Sequence, residues 1–160
     1  MTLIDSKRPP KLYYFSERSG LERSLSLGEF RLSPPIADLP AAASVGGFLV
    51  LSLMQAWDGT LFDALPNVDS YLVVHDAEEF GERLHRAVQK TLPDWVGIDA
   101  AISYGAPSPL GKIFSRAKNH ASENEWRFAW RPMQAGASLH PVVIRIGSIE
   151  DIAELHGRHD

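Results

Sequence analysis

The sequence contains no cysteine, which excludes disulfide bonds, a thiol nucleophile and cysteine-ligated zinc. It also lacks a basic excess, because 16 Lys and Arg against 20 Asp and Glu give a formal net charge of −4. A protein that binds nucleic acid mainly through phosphate contacts is usually basic, so that function would need a local patch that composition does not reveal. The absence of cysteine fits a cytoplasmic protein, which is the location we expect.

Long apolar runs are absent as well. The longest, at residues 48–51 and 142–144, are far too short to cross a bilayer. Residues 1–11 are polar, do not have the apolar centre of a signal peptide, and are expected to form a flexible N-terminal segment. These features predict a soluble protein of 160 residues, with residues 12–157 forming a single domain.

Several common catalytic motifs are missing. The sequence has no glycine-rich phosphate loop of either common type and no Gly-x-Ser-x-Gly elbow. None of the six histidines forms a His-x-x-x-His pair on a predicted helix, so we predict no metal site.

Hydrophobic periodicity and turn residues predict an α+β fold with a mixed or antiparallel sheet of about six or seven short strands and two or three helices. The predicted strands are residues 12–15, 30–33, 47–53, 70–74, 99–104, 123–130 and 141–146. The predicted helices are residues 20–27, residues 77–90 and a short last helix that ends at residue 157. Proline-rich and glycine-containing breaks are predicted at residues 34–46 and 132–136. No βα unit repeats, so a doubly wound parallel sheet is not expected.

All three helices are predicted from capping signals at their N-termini, and for residues 77–90 the signal is Asp76 followed by Glu79. Ser19 followed by Glu22 has the pattern of a capping box for the helix over residues 20–27. Ser148 followed by Asp151 predicts the start of the short last helix.

Residues 118–130 combine two carboxylates, flanking cations and two tryptophans. From residue 123 onward the pattern has a period of two, so a strand would place Glu123, Glu125 and Arg127 on one face and aromatic residues on the other. The aromatic face is predicted to be core. The charged face has two interpretations. General residue frequencies favour a row of solvent-exposed charges, a solvated charge ladder. Alternatively, if their surroundings give the two carboxylates different pKa values, one can orient a substrate while the other positions or deprotonates a nucleophile.

Motifs at both ends of the chain resemble a bacterial family of unknown function. They are Leu12-Tyr13-Tyr14-Phe15, Leu27-Gly28-Glu29-Phe30, Arg31-Leu32-Ser33-Pro34, and Lys118 followed by Glu123-Asn124-Glu125-Trp126-Arg127. The family is the domain-of-unknown-function family 2971, whose members combine an aromatic first strand with a lysine, a spacer and Glu-x-Glu-aromatic-Arg. The similarity spans residues 11–131.

This arrangement is in turn similar to the ADP-ribosyltransferase fold, in which three core strands carry an NAD site. The resemblance implies that Ser52, Tyr13 and Arg127 bind NAD. It implies that Glu125 is the catalytic acid, which accepts a hydrogen bond from the ribose 2′-hydroxyl and stabilises an oxocarbenium-like transition state. Glu123 would position the acceptor. NAD would be a substrate of a transferase or glycohydrolase, and no covalently bound cofactor is implied.

One departure from that pattern supports a different hypothesis. The first strand carries Tyr13 and Tyr14 where the similar enzymes carry Arg or His. This favours a non-catalytic module that binds another protein, for example a defence-associated or toxin-associated partner, with tryptophans as anchors of the interface. A nuclease would need metal-binding acids near a lysine, and Lys118 beside the two glutamates barely permits it.

Overall fold

The computed structural model describes residues 7–35, 47–134 and 139–158. The predicted breaks at residues 34–46 and 132–136 lie partly outside these residues, and so does most of the predicted flexible segment 1–11. Within them the α+β class is confirmed, with strands and helices packed around a six-stranded antiparallel sheet. None of the described helices is long and apolar enough to span a membrane.

The described strands are β1 (Leu12–Ser16), β2 (Glu29–Leu32), β3 (Leu49–Met54), β4 (Ser70–Val74), β5 (Trp95–Ala101), β6 (Ser103–Tyr104), β7 (Ser115–Arg116), β8 (Glu125–Pro132), β9 (Val142–Arg145) and β10 (Ala153–Gly157). The α-helices are α1 (Arg18–Leu27), α2 (Leu61–Ala64) and α3 (Ala77–Thr91), and two 3₁₀ helices cover Lys112–Phe114 and Lys118–Glu123. The main sheet has the order β10-β4-β1-β3-β8-β5, and every neighbouring pair is antiparallel. Strands β2 and β9 form a separate antiparallel pair, while β6 and β7 form a short parallel pair.

The main core lies between one face of this sheet and helix α3. Trp126, Phe128 and Trp130 alternate along β8 and are all buried on that face, as their period of two predicts. Phe80 of α3 packs edge-on against Phe128, with ring centroids 5.9 Å apart. Burial of these large rings supplies much of the apolar area that holds the helix on the sheet.

A buried carboxylate on β5 lies in this core and binds polar groups from several elements. Asp99 accepts hydrogen bonds from Arg8 Nε at 2.8 Å and from Trp126 Nε1 at 2.8 Å. His85 Nε2 lies 2.8 Å from Asp99, and Trp130 Nε1 donates to His85 Nδ1 at 3.2 Å. Because Nδ1 accepts, the proton of the neutral ring is on Nε2 and is donated to Asp99. The cluster thus joins β5, β8, α3 and the chain before β1.

The predicted start of the first helix is wrong, although its end is confirmed. Helix α1 begins at Arg18, and Glu17 at its N-cap makes no capping bond with its side chain. Instead the Arg18 N–H donates to the Asp69 carboxylate at 2.9 Å, so a residue distant in sequence does what the Ser19 capping box was expected to do. Gly28 ends the helix with φ of 65°, where a Cβ would collide with the carbonyl oxygen of Gly147.

The predicted last helix is also wrong. Residues 153–157 form β10, which pairs with β4 over five residues in register. The Ser148 hydroxyl accepts from the Glu150 N–H at 3.3 Å, which is a local turn rather than a helix cap. A short helix gains few hydrogen bonds, whereas the open edge of β4 offers a complete ladder, so the strand is favoured.

Candidate functional site

The strand predicted over residues 123–130 begins two residues later than expected. Lys118–Glu123 is a 3₁₀ helix, and Asn124 follows it in the left-handed region with φ of 42°. Asparagine adopts this conformation more readily than most residues. Gln55 holds it in place, since its N–H donates to the Asn124 carbonyl oxygen at 2.8 Å and its Nε2 donates to Asn124 Oδ1 at 3.2 Å. The prediction that Glu123 lies on the strand is therefore wrong.

The other four predicted residues lie on one face of the central strands. Ser52 of β3 is directly opposite Arg127 of β8 in the antiparallel register. Met54 is opposite Glu125 on one side and opposite Tyr13 of β1 on the other. Residues opposite one another in a sheet share a face, as do residues two apart on one strand. This face is the reverse of the one that packs on α3.

Arg127 links the two central strands. Its Nε donates to Ser52 Oγ at 3.0 Å, and its Nη1 donates to the Ile113 carbonyl oxygen at 2.9 Å. Its Nη2 lies 3.5 Å from Glu125 Oε1. Burial lowers the pKa of Arg127, opposed by the charge of Glu125, but a guanidinium stays protonated in proteins. A fixed positive charge therefore lies between the serine and the glutamate.

Glu125 is buried at 7% exposure and has two further partners on one carboxylate oxygen. Arg116 Nη1 lies 2.7 Å from Oε2, and the Tyr104 hydroxyl donates to the same oxygen at 3.3 Å. The Glu125 N–H in turn donates to the Tyr104 hydroxyl oxygen at 2.9 Å. Burial raises the pKa of Tyr104, the N–H of Glu125 lowers it, and the Glu125 carboxylate raises it again. The resulting pKa is about 12, so the hydroxyl remains a donor.

Glu123 reaches the same cluster from the 3₁₀ helix. Its Oε2 lies 3.2 Å from Arg116 Nη1 and 3.0 Å from His120 Nδ1, and its side chain is 30% exposed. Arg116 Nη1 therefore bridges both carboxylates. The structure brings the two predicted acids together, but through this arginine rather than along a strand face.

A small second core covers part of this face, so the solvated charge ladder is wrong for Glu125 and Arg127. Ile102, Ile113 and Phe114 are buried there. They pack with Ala129 of β8, which is fully buried. The chain between β5 and β8 folds over the sheet to form this cover, and the same segment carries Tyr104, Arg116 and Glu123.

An aromatic cluster lies on the same face, on the other side of Ser52. Tyr71 stacks against Phe15 and His156, with ring centroids 5.3 Å and 5.4 Å away. Trp57 lies 6.1 Å from Tyr71 and is 50% exposed. Of the tryptophans expected at an interface, Trp57 is the exposed one, whereas Trp126 and Trp130 are core and Trp95 is half-buried.

Sequence reasoning missed Tyr104, Arg116 and His120. Tyr104 and Arg116 lie opposite each other on strands of two residues each, which are too short to show a period. Their proximity to Glu125 depends on the fold of the covering segment, which no local sequence pattern predicts. Among the described residues, no group of three or more metal-ligating side chains is present.

The chain was compared with protein-family models, with characterised proteins and with solved structures, and no match was found.

Proposed function

We propose that the face carrying Tyr13, Ser52, Glu125 and Arg127 binds NAD and cleaves the bond between nicotinamide and ribose. One observation supports this most directly. A serine and a glutamate on neighbouring central strands face the same side of the sheet and are joined through the guanidinium of Arg127. This is the arrangement that the resemblance to ADP-ribosyltransferases implies for a ribose-binding serine and a catalytic acid.

In the proposed reaction the carbon–nitrogen bond to nicotinamide breaks, and its electron pair leaves with the nicotinamide. The ribose carbon becomes positively charged, and the carboxylate of Glu125 stabilises that charge electrostatically. Water then adds to give ADP-ribose and a proton, or a nucleophile of an acceptor adds instead. Glu123 is more exposed than Glu125 and contacts His120, so in this proposal it orients the nucleophile and takes its proton.

In the proposed complex the ribose contacts Oε1 of Glu125 rather than Oε2. Both Arg116 and Tyr104 contact Oε2, whereas the contact of Oε1 within the described residues is the ion pair with Arg127 at 3.5 Å. A carboxylate oxygen has two acceptor positions, so Oε1 is able to accept a hydrogen bond from a ribose hydroxyl without breaking the network. The partners on Oε2 meanwhile hold the carboxylate in place.

The test is calorimetric titration with NAD, together with chromatographic detection of released nicotinamide. We expect the wild type to bind NAD and Ser52→Ala to bind about tenfold more weakly, because one hydrogen-bonding group is lost. Glu125→Gln should retain binding but lose turnover by about a hundredfold or more. The matched control is Glu154→Gln, the same change on the edge strand β10, four strands from β8. No heat and no nicotinamide at millimolar NAD would contradict the proposal.

A non-catalytic protein-binding module is the second candidate, and the exposure of Trp57 favours it. Half of this large side chain is open to solvent at the end of an aromatic cluster, which is typical of an interface anchor. If that is its role, Trp57→Ala should remain folded but lose a partner that the wild type and Glu125→Gln both retain in affinity purification. Loss of the partner in Glu125→Gln as well would contradict an interface centred on Trp57.

A further inference from the structure

A groove lies on the opposite side of the sheet from Glu125, between helix α3 and strand β9. It has a volume of about 430 Å³, within the range of about 300–1,000 Å³ that is usual for small-ligand sites. The residues that line this groove are Arg83, Arg86, Ala87, Lys90, Thr91, Arg145 and Ile146. Because α3 packs on the aromatic face of β8, the groove is separated from Glu125 by the sheet itself.

Four of these residues are cations and none is an acid, in a protein whose net charge is −4. Arg83, Arg86 and Lys90 are three and four residues apart, so they lie along one side of α3. Arg145 reaches the groove from β9, where it alternates with the buried Ile144. Helix α3 and strand β9 thus bring their cations to one groove. This grouping depends on the fold and is not visible in the charge balance of the sequence.

The four cations differ in their partners. Asp151 and Glu79 bind Arg83, at distances of 2.6 Å and 2.9 Å. Glu29 lies 3.2 Å from Arg145. Arg86 and Lys90, in contrast, form no ion pair with any residue in the described ranges. Two fixed cations and two with open donors therefore face the same space.

We propose that this groove binds a small molecule carrying two or more linked phosphate groups. Arg86 would contact the phosphates through its planar fork of donors, which matches phosphate oxygens, and Lys90 would add a point charge. Arg83 and Arg145 are held by carboxylates that offset their charge, so they contribute mainly the shape of the groove. The small volume and the acidic protein around it favour such a ligand over a polynucleotide, which needs a longer basic track. This inference does not depend on the proposed NAD site.

The direct test is calorimetric titration with inorganic pyrophosphate and tripolyphosphate. We expect the wild type to bind both, and tripolyphosphate more tightly because it carries more charge. Arg86→Ala and Lys90→Ala should each weaken binding at least about fivefold, and the double variant should show no measurable heat. Arg86→Lys should retain part of the affinity, because it keeps the charge and loses the fork.

The matched control is Arg131→Ala, which removes one exposed cation from β8. Arg131 alternates with Trp130 and therefore lies on the side of the sheet away from α3. Equal weakening in this control would reduce the effect to net charge and overturn the proposal, as would a wild type that binds neither probe. Thermal unfolding followed by circular dichroism checks that each variant is folded.

A labelled single-stranded oligonucleotide, followed by fluorescence anisotropy, tests the larger alternative. Binding of the oligonucleotide that is lost in Arg86→Ala, without binding of pyrophosphate or tripolyphosphate, would overturn the small-ligand proposal in favour of nucleic acid. Binding of the two inorganic probes without the oligonucleotide would support it.

Discussion

Arg127 and Ser52 face each other across the two central strands, and the arginine Nε donates to the serine hydroxyl over 3.0 Å. The other end of the guanidinium donates to the Ile113 carbonyl oxygen, in the segment that covers the sheet. One planar group therefore connects β3, β8 and the covering segment. A lysine at this position would retain the charge but would lack the geometry to bind both oxygens.

We therefore expect Arg127→Lys to lower the free energy of unfolding by about 1–3 kcal/mol and Ser52→Ala to lower it by about 1 kcal/mol. Urea unfolding measures both. The control is Arg131→Lys, an exposed position on the same face of the same strand, which should stay within about 0.5 kcal/mol of the wild type. Arg127→Lys with the stability of the wild type would show that the fork does not hold the covering segment.

The pair formed by Arg116 and Glu125 should be strongly coupled. Their side chains are 14% and 9% exposed, and the closest atoms are 2.7 Å apart. Arg116→Met would leave a buried carboxylate with less compensation, so we expect a loss of about 2–4 kcal/mol.

A double-mutant cycle with Glu125→Gln isolates this coupling. The loss in the double variant should be smaller than the sum of the two single losses by at least about 1 kcal/mol. The same cycle on the exposed pair Arg18 and Glu22 should show little coupling, because solvent screens both charges. Additive losses for Arg116 and Glu125 would contradict the arrangement described here.

Local patterns in the sequence predict much of the sheet. The alternation of Trp126, Phe128 and Trp130 places a strand and its buried face correctly, because a period of two is a property of the strand itself. Gly28 likewise marks the end of α1, because that position requires a positive φ.

The errors arise where a residue distant in sequence decides the outcome. Residues 153–157 have a local capping signal, but the free edge of β4 makes them a strand. Asn124 displaces Glu123 from β8, in a conformation that contacts from Gln55 hold in place. The site is missed for the same reason, since the fold of the covering segment, and not a local pattern, brings Arg116 to Glu125.

The buried carboxylate of Asp99 makes stability depend on pH. Burial raises its pKa, but hydrogen bonds from His85, Arg8 and Trp126 lower it more strongly, and the result lies well below the ordinary value of 3.8. Because the folded-state pKa is depressed, the ionised group contributes its full stability above the unfolded pKa of about 3.9. That contribution is lost as the pH falls from there towards the folded pKa.

Asp99→Asn should therefore be less stable than the wild type at pH 7, by about 2–4 kcal/mol. The difference between the two proteins should shrink as the pH falls from about 5 to 2, because the unfolded wild type takes up a proton at Asp99 over this range whereas the folded protein, with its depressed pKa, does not. Urea unfolding at a series of pH values measures both curves. A difference that stays constant over this range would show that Asp99 does not titrate with a depressed pKa.

Gly97 provides a test of how tightly α3 and β8 pack against β5. A Cβ at this position would collide with the indole of Trp130 and would lie 2.8 Å from His85 Nδ1. Trp130 is 2% exposed and donates a hydrogen bond to that same nitrogen, so neither ring is free to move away. Gly97→Ala should therefore destabilise the protein by about 1–3 kcal/mol.

Gly20→Ala is the matched control, because Gly20 lies within α1 and a Cβ there meets nothing within 4 Å. We expect it to stabilise the protein by about 0.5–1 kcal/mol, since alanine favours a helix over glycine. Urea unfolding followed through tryptophan fluorescence measures both values. A Gly97→Ala variant as stable as the wild type would show that Trp130 does not pack over Gly97.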